Sequence, residues 1–240
     1  MNKIKVLVVV TGLQLSNGVA SYAMNYFRQL DHRLIQMDFV SYNSEPSPYY
    51  NEIEQLGGKI YFLPSVKNIY EHIKACKEIF ENTRYDIVHV NTLHLALPLL
   101  WISKLNDVKI RILHSHNSKL GGTKYKEFRN RLFLPLLRMF CNVNFSCSDL
   151  AGKALFGNDK FTFIPNIISV SKYKFDQEKR SLLRRQYGVT NKTIIATVGR
   201  VASQKNPYMA VDMIEKLYQK IPNLEYWWIG GNADSNLKEY

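Results

Sequence analysis

The chain has 240 residues, of which 46% are hydrophobic and 12% aromatic, enough to pack one large domain or two smaller ones and to exclude a disordered protein. Its formal net charge of +12 favours anionic partners such as phosphorylated substrates, acidic lipid headgroups or nucleic acid. The three cysteines, Cys76, Cys141 and Cys147, show no CxxC spacing. That pattern argues against a disulfide framework or a zinc knuckle and fits a reducing cytoplasm. No apolar run reaches the length of a membrane span.

Apolar runs and amphipathic segments alternate along the first 168 residues. The run at 4–10 is almost continuous in β-branched residues, as expected for a parallel strand buried on both faces. Further strands are predicted at 37–42, 59–63, 86–91, 108–114, 143–147 and 161–164. Helices are predicted between them at 19–30, 52–56, 69–81, 94–105, 125–140 and 149–156. This alternation, without hairpin signals, predicts an α/β fold with a doubly wound parallel sheet.

A change of composition divides the chain. Residues 169–175 lack periodicity and begin a charged segment, so we expect an N-terminal domain at 1–168 and a second domain at 169–240. The second domain is predicted to contain helices at 178–187 and 207–217 and strands at 194–198 and 224–229. Two strands leave a hydrophobic edge and face uncovered. We therefore expect this domain to be incomplete, and to be covered by a missing C-terminal segment or by another subunit of a homo-oligomer.

Two cations stand in the loop that follows the predicted strand 194–198. The sequence TVGRVASQKNP places Arg200 and Lys205 between Gly199 and Pro207, and proline favours the first position of a helix. Because open α/β sheets bind ligands at the carboxyl ends of their strands, both cations would lie beside a positive helix start. A phosphate or diphosphate is the expected ligand, and solvated loop charges are the alternative.

Further candidates follow strand ends in the first domain. Gly18 precedes a predicted helix, where a missing side chain would let a phosphate reach the backbone amides; a positive φ in the turn is the alternative explanation. His116 follows a strand end and is placed to donate to a phosphate or a sugar hydroxyl. His114 is less suited to that role, because adjacent strand positions point to opposite faces, and we expect His89 to be a hydrogen-bonded core residue.

The stretch from Lys119 to Arg138 is strongly basic, with six cations and one acid, Glu127. It overlaps the predicted helix 125–140, which has a cationic and an apolar face, and Pro135 predicts a kink or a break in it. Two interpretations stay open: a helix packed on the sheet with solvated charges, or docking to an anionic membrane surface. Nucleic acid is not an expected partner, because no reading motif is present and the aromatic residues fall largely at core spacing.

Seven stretches, in order, resemble the family 4 retaining glycosyltransferases of the GT-B fold, especially bacterial enzymes that make capsular polysaccharides and exopolysaccharides. The stretches are NGVASYAMNYFRQLD (17–31), IEQLGGKIYFLP (53–64), YDIVHVNTLHLALPLL (85–100), IRILHSHNS (110–118), NFSCSDLAGKALFG (144–157), FTFIPNIIS (161–169) and TVGRVASQKNP (197–207). The resemblance extends over all 240 residues. It implies two facing Rossmann-like domains, the second incomplete, with a nucleotide-sugar donor held mainly by the second.

The resemblance also implies roles for single residues. Arg200 and Lys205 match the GR-x-x-x-x-K pair that neutralises the donor diphosphate and stabilises the leaving nucleoside diphosphate. Gly18 matches the glycine whose neighbouring amides approach the donor phosphate, and His116 matches the histidine that lies against the donor sugar. The catalytic residues implied are thus His116, Arg200 and Lys205. The residues that fall in motifs lining the cleft between the domains are Asn117, Ser148 and Asn166.

The implied reaction needs neither a cofactor nor a metal. Charge that develops on the leaving diphosphate and on an oxocarbenium-like ring would be stabilised by arginine, lysine and helix starts. We expect a sugar to pass from a nucleotide-sugar, most simply a UDP-sugar, to a saccharide or a lipid-linked acceptor with retention of configuration. The expected location is the cytoplasm, with peripheral attachment to the inner face of the membrane.

The chain departs from the family's pattern in two places. In the first loop Asn17 replaces a glycine and Ala20 replaces a glutamate, which predicts weaker phosphate binding or an altered acceptor pocket. The E-x7-E segment that contacts the donor sugar, and the base pocket, would lie beyond residue 240. The alternative function is therefore a catalytically inactive transferase that acts as an anion-, membrane- or partner-binding module.

Overall fold

The computed structural model describes residues 3–231, and the chain divides into two compact units between Ile168 and Ser169. Within the first unit, the described residues form seven strands: β1 Ile4–Val10, β2 Ile35–Ser41, β3 Ile60–Phe62, β4 Ile87–Val90, β5 Ile110–Ser115, β6 Val143–Ser146 and β7 Thr162–Phe163. All pair in parallel, in the order β3-β2-β1-β4-β5-β6-β7. The order reverses direction between β1 and β4, which is where ligands bind in open α/β sheets.

Six α-helices connect these strands within the described part of the first unit. They are α1 Gly18–Phe27, α2 Pro48–Gln55, α3 Ile69–Asn82, α4 Leu97–Leu105, α5 Lys124–Phe140 and α6 Asp149–Phe156, with a 3₁₀ turn at His94–Ala96 before α4. Each predicted strand and helix of this unit is present, and β1 and α6 have the predicted bounds, whereas the ends of the others are displaced; the strand predicted at 161–164 is reduced to two residues. Between residues 3 and 231, no helix combines the length and the apolar character needed to cross a bilayer.

The sheet is sandwiched between two apolar layers, and β1 contributes to both. Val8 and Val10 pack on one face with Phe27 of α1, whereas Leu7 and Val9 pack on the other face with Leu99 of α4. Because alternate side chains of a strand point to opposite faces, a strand buried on both sides is apolar at every position. This is why the almost continuous apolar run at 4–10, interrupted by Lys5, predicted β1 with its observed bounds.

Pro135 neither ends nor splits α5, so of the expected kink or break the break is wrong. The helix runs without interruption from Lys124 to Phe140. A proline removes one backbone donor and leaves the carbonyl four residues earlier, here that of Arg131, without its usual partner. Pro135 and Arg131 are both exposed, so water can hydrogen-bond to the free carbonyl of Arg131. The helix therefore tolerates a proline at this position.

The second unit is small and its sheet is largely uncovered. Its described residues form α7 Gln177–Gln186, β8 Thr193–Val198, α8 Pro207–Tyr218 and β9 Leu224–Ile229, with 3₁₀ turns at Val170–Tyr173 and Ser203–Lys205. The strands β8 and β9 pair in parallel along their whole length. Val198 is 72% exposed and Ile229 51% exposed. A two-stranded sheet cannot bury both of its faces, which accounts for this exposure.

The ends of β8 and β9 approach each other backbone to backbone. Gly230 has φ +154°, and a Cβ atom at this position would clash with the carbonyl of Gly199. Gly199 itself has φ +146°, and its amide donates to the carbonyl of Ile229 at 2.9 Å. Only glycine combines this conformation with this contact without strain. The close contact between Gly199 and Gly230 therefore determines where the loop after β8 begins.

Gly230→Ala should lower the free energy of unfolding by about 1–3 kcal/mol, because the new methyl group must displace backbone and adopt a strained φ. Urea denaturation followed by tryptophan fluorescence measures this change. Gly231→Ala is the matched control, because a Cβ at Gly231 would meet nothing within 4 Å. Equal denaturation midpoints for the two variants would contradict the assigned contact.

Candidate functional site

Three histidines lie side by side near the carboxyl ends of β4 and β5 in the first unit. The rings of His114 and His116 stack with centroids 4.1 Å apart, and those of His89 and His114 with centroids 5.2 Å apart. His89 Nε2 lies 3.0 Å from His114 Nδ1, as expected for a hydrogen-bonded residue in a strand. The Tyr22 hydroxyl of α1 also lies 3.3 Å from His114 Nδ1, and its ring contacts His116. The cluster thus joins α1, β4 and β5 at the point where the strand order reverses.

Burial keeps these imidazoles neutral. Desolvation lowers the pKa of His89, His114 and His116, and the pKa of His116 falls to about 4. The proximity of His116 lowers the pKa of the other two further. Burial raises the pKa of Tyr22, so its hydroxyl stays protonated. The cluster can therefore form hydrogen bonds at neutral pH without adding positive charge.

Asn91 determines which nitrogen of His116 carries the proton. The Asn91 Nδ2 donates to the carbonyl oxygens of Val9 and His89, at 3.3 and 3.4 Å, so its Oδ1 is the atom that faces His116, at 2.8 Å from Nε2. Because Oδ1 can only accept, Nε2 carries the proton and Nδ1 keeps an unprotonated lone pair. His116 would therefore meet a ligand hydroxyl as an acceptor through Nδ1. The donor role expected from its position would require the bond to Asn91 to break.

The start of α1 is closed by a side chain of its own loop. Asn17 is the N-cap residue, and its Oδ1 accepts from the amides of Val19 and Ala20 at 3.0 and 3.3 Å. Its Nδ2 donates to the carbonyl of Gly12 at 3.0 Å, which orients the cap. Gly18 is the first helical residue, so the helix begins one residue earlier than predicted, and a Cβ at Gly18 would meet nothing within 4 Å. A phosphate at this helix start would have to displace Asn17.

The remaining candidates of the first unit have different surroundings. Ser148 is the N-cap of α6, as predicted, and its hydroxyl accepts from the amide of Ala151 at 3.2 Å. That hydroxyl is committed to the helix start. Asn117 is exposed in the loop directly after β5, beyond His116. Asn117 and Ser148 thus share the carboxyl edge of the sheet with the histidine cluster, since each follows a strand end.

Asn166 lies in a segment that is hydrogen-bonded to α1. The Asn166 side chain is exposed, and α1 holds the residues on either side of Asn166 through their backbone oxygens. The Tyr26 hydroxyl donates to the carbonyl of Pro165 at 2.8 Å, and Asn25 Nδ2 donates to the carbonyl of Ile167 at 2.7 Å. The segment after β7 is thereby positioned by the helix that also carries Tyr22.

The second unit carries Arg200 and Lys205 in the loop between β8 and α8. Both residues are exposed, and neither forms an ion pair with any residue between positions 3 and 231. The Lys205 side chain lies across Gly199, where a Cβ would sit 3.2 Å from Lys205 Cε. Within residues 3–231, the loop therefore presents two cations whose charge no carboxylate neutralises. Such a pair is suited to a multiply charged anion.

Trp228 anchors the start of this loop. The indole Nε1 of Trp228 donates to the carbonyl of Gly199 at 2.7 Å, next to Arg200. At the other end, Asn206 adopts the left-handed conformation, with φ 48°, and caps α8 by accepting from the amide of Met209 at 3.5 Å. Pro207 occupies the first helical position, as predicted. The cations thus lie on a loop that is tied at both ends.

A family model described as Glycosyltransferase Family 4 matches residues 16–172, more than half of the chain and almost all of the first unit. This chain belongs to glycosyltransferase family 4. The EpsF glycosyltransferase of Bacillus subtilis (strain 168) is 27% identical to it over 213 residues, which are 84% of this chain and 55% of EpsF. The family 4 chain therefore spans about half the length of this curated relative.

Solved structures show the same fold. The structure of Anabaena HepE in complex with UDP-glucose matches with a TM-score of 0.74 and 15% identity, over 98% of this chain and 62% of HepE. A glycosyltransferase from Rickettsia africae matches with a TM-score of 0.63 and 16% identity, over 99% of this chain and 70% of that one. These similarities confirm the expected α/β fold of GT-B type, with a large parallel sheet and a small second sheet.

Three residues of this family 4 chain were not singled out from the sequence: Tyr22, Asn91 and Trp228. Asn91 is the last residue of the predicted strand 86–91, and His116 follows the next predicted strand, so the position of Asn91 alone was a usable signal. Tyr22 falls one helical turn after Gly18. In the sequence Trp228 is one more apolar residue of a predicted strand, and no local pattern predicts its hydrogen bond to the carbonyl of Gly199.

A metal-free site stays a prediction. Among residues 3–231, no three His, Cys, Asp or Glu side chains are grouped as ligands for a metal ion. The rings of the three histidines stack, His114 is hydrogen-bonded to His89 and Tyr22, and His116 is hydrogen-bonded to Asn91.

The lowered pKa of His116 should make stability depend on acidity. A histidine whose folded pKa is about 4 and whose unfolded pKa is 6.5 contributes stability that is complete above pH 6.5 and is lost as the pH falls towards 4. Between pH 7 and pH 4, wild type should lose roughly 2–3 kcal/mol more unfolding free energy than His116→Gln. Urea denaturation across that range measures the difference.

His32→Gln is the control, because it removes a histidine that lies outside the cluster. This variant keeps all three histidines of the cluster, so the loss attributed to His116 should remain. If His116→Gln and wild type lose the same unfolding free energy between pH 7 and pH 4, the imidazole is not held neutral by burial.

Proposed function

We propose that this chain forms the first domain and part of the second domain of an enzyme that transfers a sugar from a nucleoside-diphosphate donor, with a UDP-sugar as the donor. The observation that carries the proposal is the loop between β8 and α8, where Arg200 and Lys205 are exposed without carboxylate partners in the described chain. Membership of family 4 supports the transferase class, and HepE was solved with UDP-glucose.

The two cations act on the leaving group in this proposal. When the sugar–phosphate bond breaks, negative charge grows on the diphosphate, and a pre-positioned arginine and lysine stabilise that charge more in the transition state than in the ground state. Arg200 can contact two oxygens at once, whereas Lys205 acts as a point charge. Trp228 holds the backbone of the loop at the end of β8, next to Arg200, which limits how far the loop must move when the bond breaks.

The first unit contributes hydrogen bonds to the sugar. His116 offers Nδ1 as an acceptor, which suits a sugar hydroxyl, and its neutral state avoids placing a positive charge beside an oxocarbenium-like ring. Gly18 lies at the start of α1, where Asn17 now holds the amides of Val19 and Ala20. Donor phosphate would therefore depend on the cations of the second unit more than on this helix start.

The finer assignments belong to the same proposal. The acceptor is a saccharide or a lipid-linked saccharide, in synthesis of a capsular polysaccharide or exopolysaccharide, and the configuration at the sugar carbon is retained. The departing phosphate assists removal of the acceptor hydroxyl proton, so no side-chain carboxylate is needed as a nucleophile. The unpaired cysteines support a cytoplasmic location.

Release of UDP from UDP-glucose and related UDP-sugars by the purified chain, with a lipid-linked saccharide as acceptor, tests the activity. The proposal predicts turnover that depends on both substrates. Binding of UDP without turnover would favour the alternative, an inactive transferase that serves as a binding module, and the Asn17 cap is the observation that favours that outcome. If the chain neither binds UDP nor turns over a UDP-sugar, both the proposed function and the alternative are contradicted.

Arg200→Ala and Lys205→Ala should each weaken UDP binding by about 1–3 kcal/mol, as the loss of other charge-assisted hydrogen bonds does. Isothermal titration calorimetry measures the affinity. Lys216→Ala is the charge-matched control, because Lys216 is exposed in the last turn of α8, away from the loop. Unchanged affinity in both loop variants would remove the diphosphate assignment.

Trp228→Phe should weaken UDP binding several-fold while the chain stays folded, because phenylalanine supplies an aromatic ring but no donor for the hydrogen bond to Gly199. A neutral hydrogen bond contributes about 1 kcal/mol, which corresponds to roughly five-fold. Trp227→Phe is the matched control, since Trp227 Nε1 donates to Glu225 and not to the loop. Equal affinities for the two tryptophan variants would show that Trp228 does not position Arg200.

A further inference from the structure

Asn91 directly follows β4 and is hydrogen-bonded to β1 and to its own strand. Its backbone amide donates to the carbonyl of Val9 at 2.9 Å, and its Nδ2 donates to the carbonyls of Val9 and His89 at 3.3 and 3.4 Å. The residue is buried. A flip of the side-chain amide would place Oδ1 against those two carbonyl oxygens, so the direction of Oδ1 is fixed. Asn91 therefore presents an acceptor at the point where the strand order reverses.

Three side chains hold the ring of His116. Its Nε2 lies 2.8 Å from Asn91 Oδ1, its ring stacks on that of His114 with centroids 4.1 Å apart, and the ring of Tyr22 packs edge-on with centroids 4.8 Å apart. A half-turn of the imidazole would break the hydrogen bond to Asn91. The ring is therefore fixed in one orientation as well as in one neutral tautomer, with the proton on Nε2.

The Nδ1 atom of His116 is left for a ligand. It forms no hydrogen bond within residues 3–231, and it is not one of the buried polar atoms that lack a partner, so it is accessible. His114 differs, because its Nδ1 is within reach of His89 and Tyr22 and its Nε2 is buried. The three side chains that hold His116 are uncharged at neutral pH. A ligand group at Nδ1 thus meets an uncharged lone pair, which needs a hydrogen-bond donor.

We propose that Asn91 determines which donor sugars the protein accepts, by holding His116 as a hydrogen-bond acceptor. The selected sugar has a free hydroxyl group at the position that faces Nδ1. Sugars that carry a carboxylate, an ester or no oxygen at that position are rejected. The inference rests on the proposed function, which brings a donor sugar to His116. Asn91 touches no substrate and acts through His116 as a positioning residue.

The rejected groups share the lack of a hydrogen atom to donate. A carboxylate or ester oxygen would face the Nδ1 lone pair, and a deoxy carbon would leave that lone pair desolvated without a partner. Sites that hydrogen-bond a substrate hydroxyl discriminate against analogues without it far more strongly than apolar pockets discriminate by size. The opposite arrangement, in which Nδ1 donates to a carboxylate, would require the proton on Nδ1 and a new partner for Asn91 Oδ1.

Imidazole NMR of the nucleotide-free chain, labelled with ¹⁵N-histidine and assigned by comparison with His116→Gln, tests the positioning step. At pH 7 His116 should be neutral with its proton on Nε2, and that proton should exchange slowly with water because it is bonded to Asn91. Asn91→Leu should lose the slow exchange. A proton on Nδ1 of wild type, or an Nε2 proton equally protected in Asn91→Leu, overturns the inference. No nucleotide is present, so this result is independent of the proposed function.

Calorimetry with fluorinated donors tests the selectivity. The tightest binder among UDP-glucose, UDP-galactose and UDP-N-acetylglucosamine is compared with analogues in which each sugar hydroxyl in turn is replaced by fluorine, which cannot donate. One analogue should bind wild type at least about ten-fold more weakly than its parent, because it leaves Nδ1 unpaired. In Asn91→Leu this difference should shrink to about two-fold, because the ring is free to turn. Affinity for UDP alone and the differences at the other hydroxyls should not change.

Asn106→Leu is the matched control, because Asn106 is exposed after α4, at the opposite edge of the sheet, and its Nδ2 donates to the carbonyl of Ile102. It should discriminate as wild type does. If circular dichroism shows that Asn91→Leu is unfolded, His116→Gln replaces it, since glutamine can still donate to Asn91 but has no Nδ1.

The selectivity is overturned if wild type binds every fluorinated analogue like the parent, or if the folded variant discriminates as wild type does. In both cases UDP binding, and with it the proposed function, still stands. Absence of UDP binding would instead contradict the proposed function and the donor selectivity together.

Discussion

The carboxyl ends of parallel strands all lie at one edge of their sheet. In both units, polar side chains from the strand ends and the following loops lie at that edge. In the first unit the edge brings together His114, His116 and Asn91 from two neighbouring strands and their loops. In the second unit it presents Arg200 and Lys205 after β8. The core residues decide where each strand ends, and the strand ends decide which side chains are available for chemistry.

Three helix starts at the carboxyl edges of the two sheets are capped by side chains of the chain itself. Asn17 accepts from two amides of α1, Ser148 caps α6, and Asn206 caps α8. An amide already bonded to a side chain must exchange that bond to hold a phosphate, so the net gain is small. In the proposed function, the positive charge for a diphosphate would therefore come mainly from Arg200 and Lys205.

Local patterns predicted most of the fold, and contacts between distant residues explain what they missed. The apolar runs predicted β1 and β9 with their observed bounds, and Pro207 and Ser148 marked helix starts correctly. The hydrogen bond between Tyr22 and His114 joins residues 92 positions apart, and no sequence pattern around either residue predicts it. The tautomer of His116 likewise depends on how Asn91 is held by two backbone oxygens, a property that appears only once β1 and β4 are paired.

The central claim is that the loop after β8 holds a diphosphate, and a crystal structure of the chain with UDP tests it most directly. The account predicts that the phosphate oxygens lie within hydrogen-bond distance of the Arg200 guanidinium and the Lys205 ammonium, with Trp228 still bonded to Gly199. UDP bound with its phosphates against other residues, or both cations directed into solvent away from them, would contradict the account.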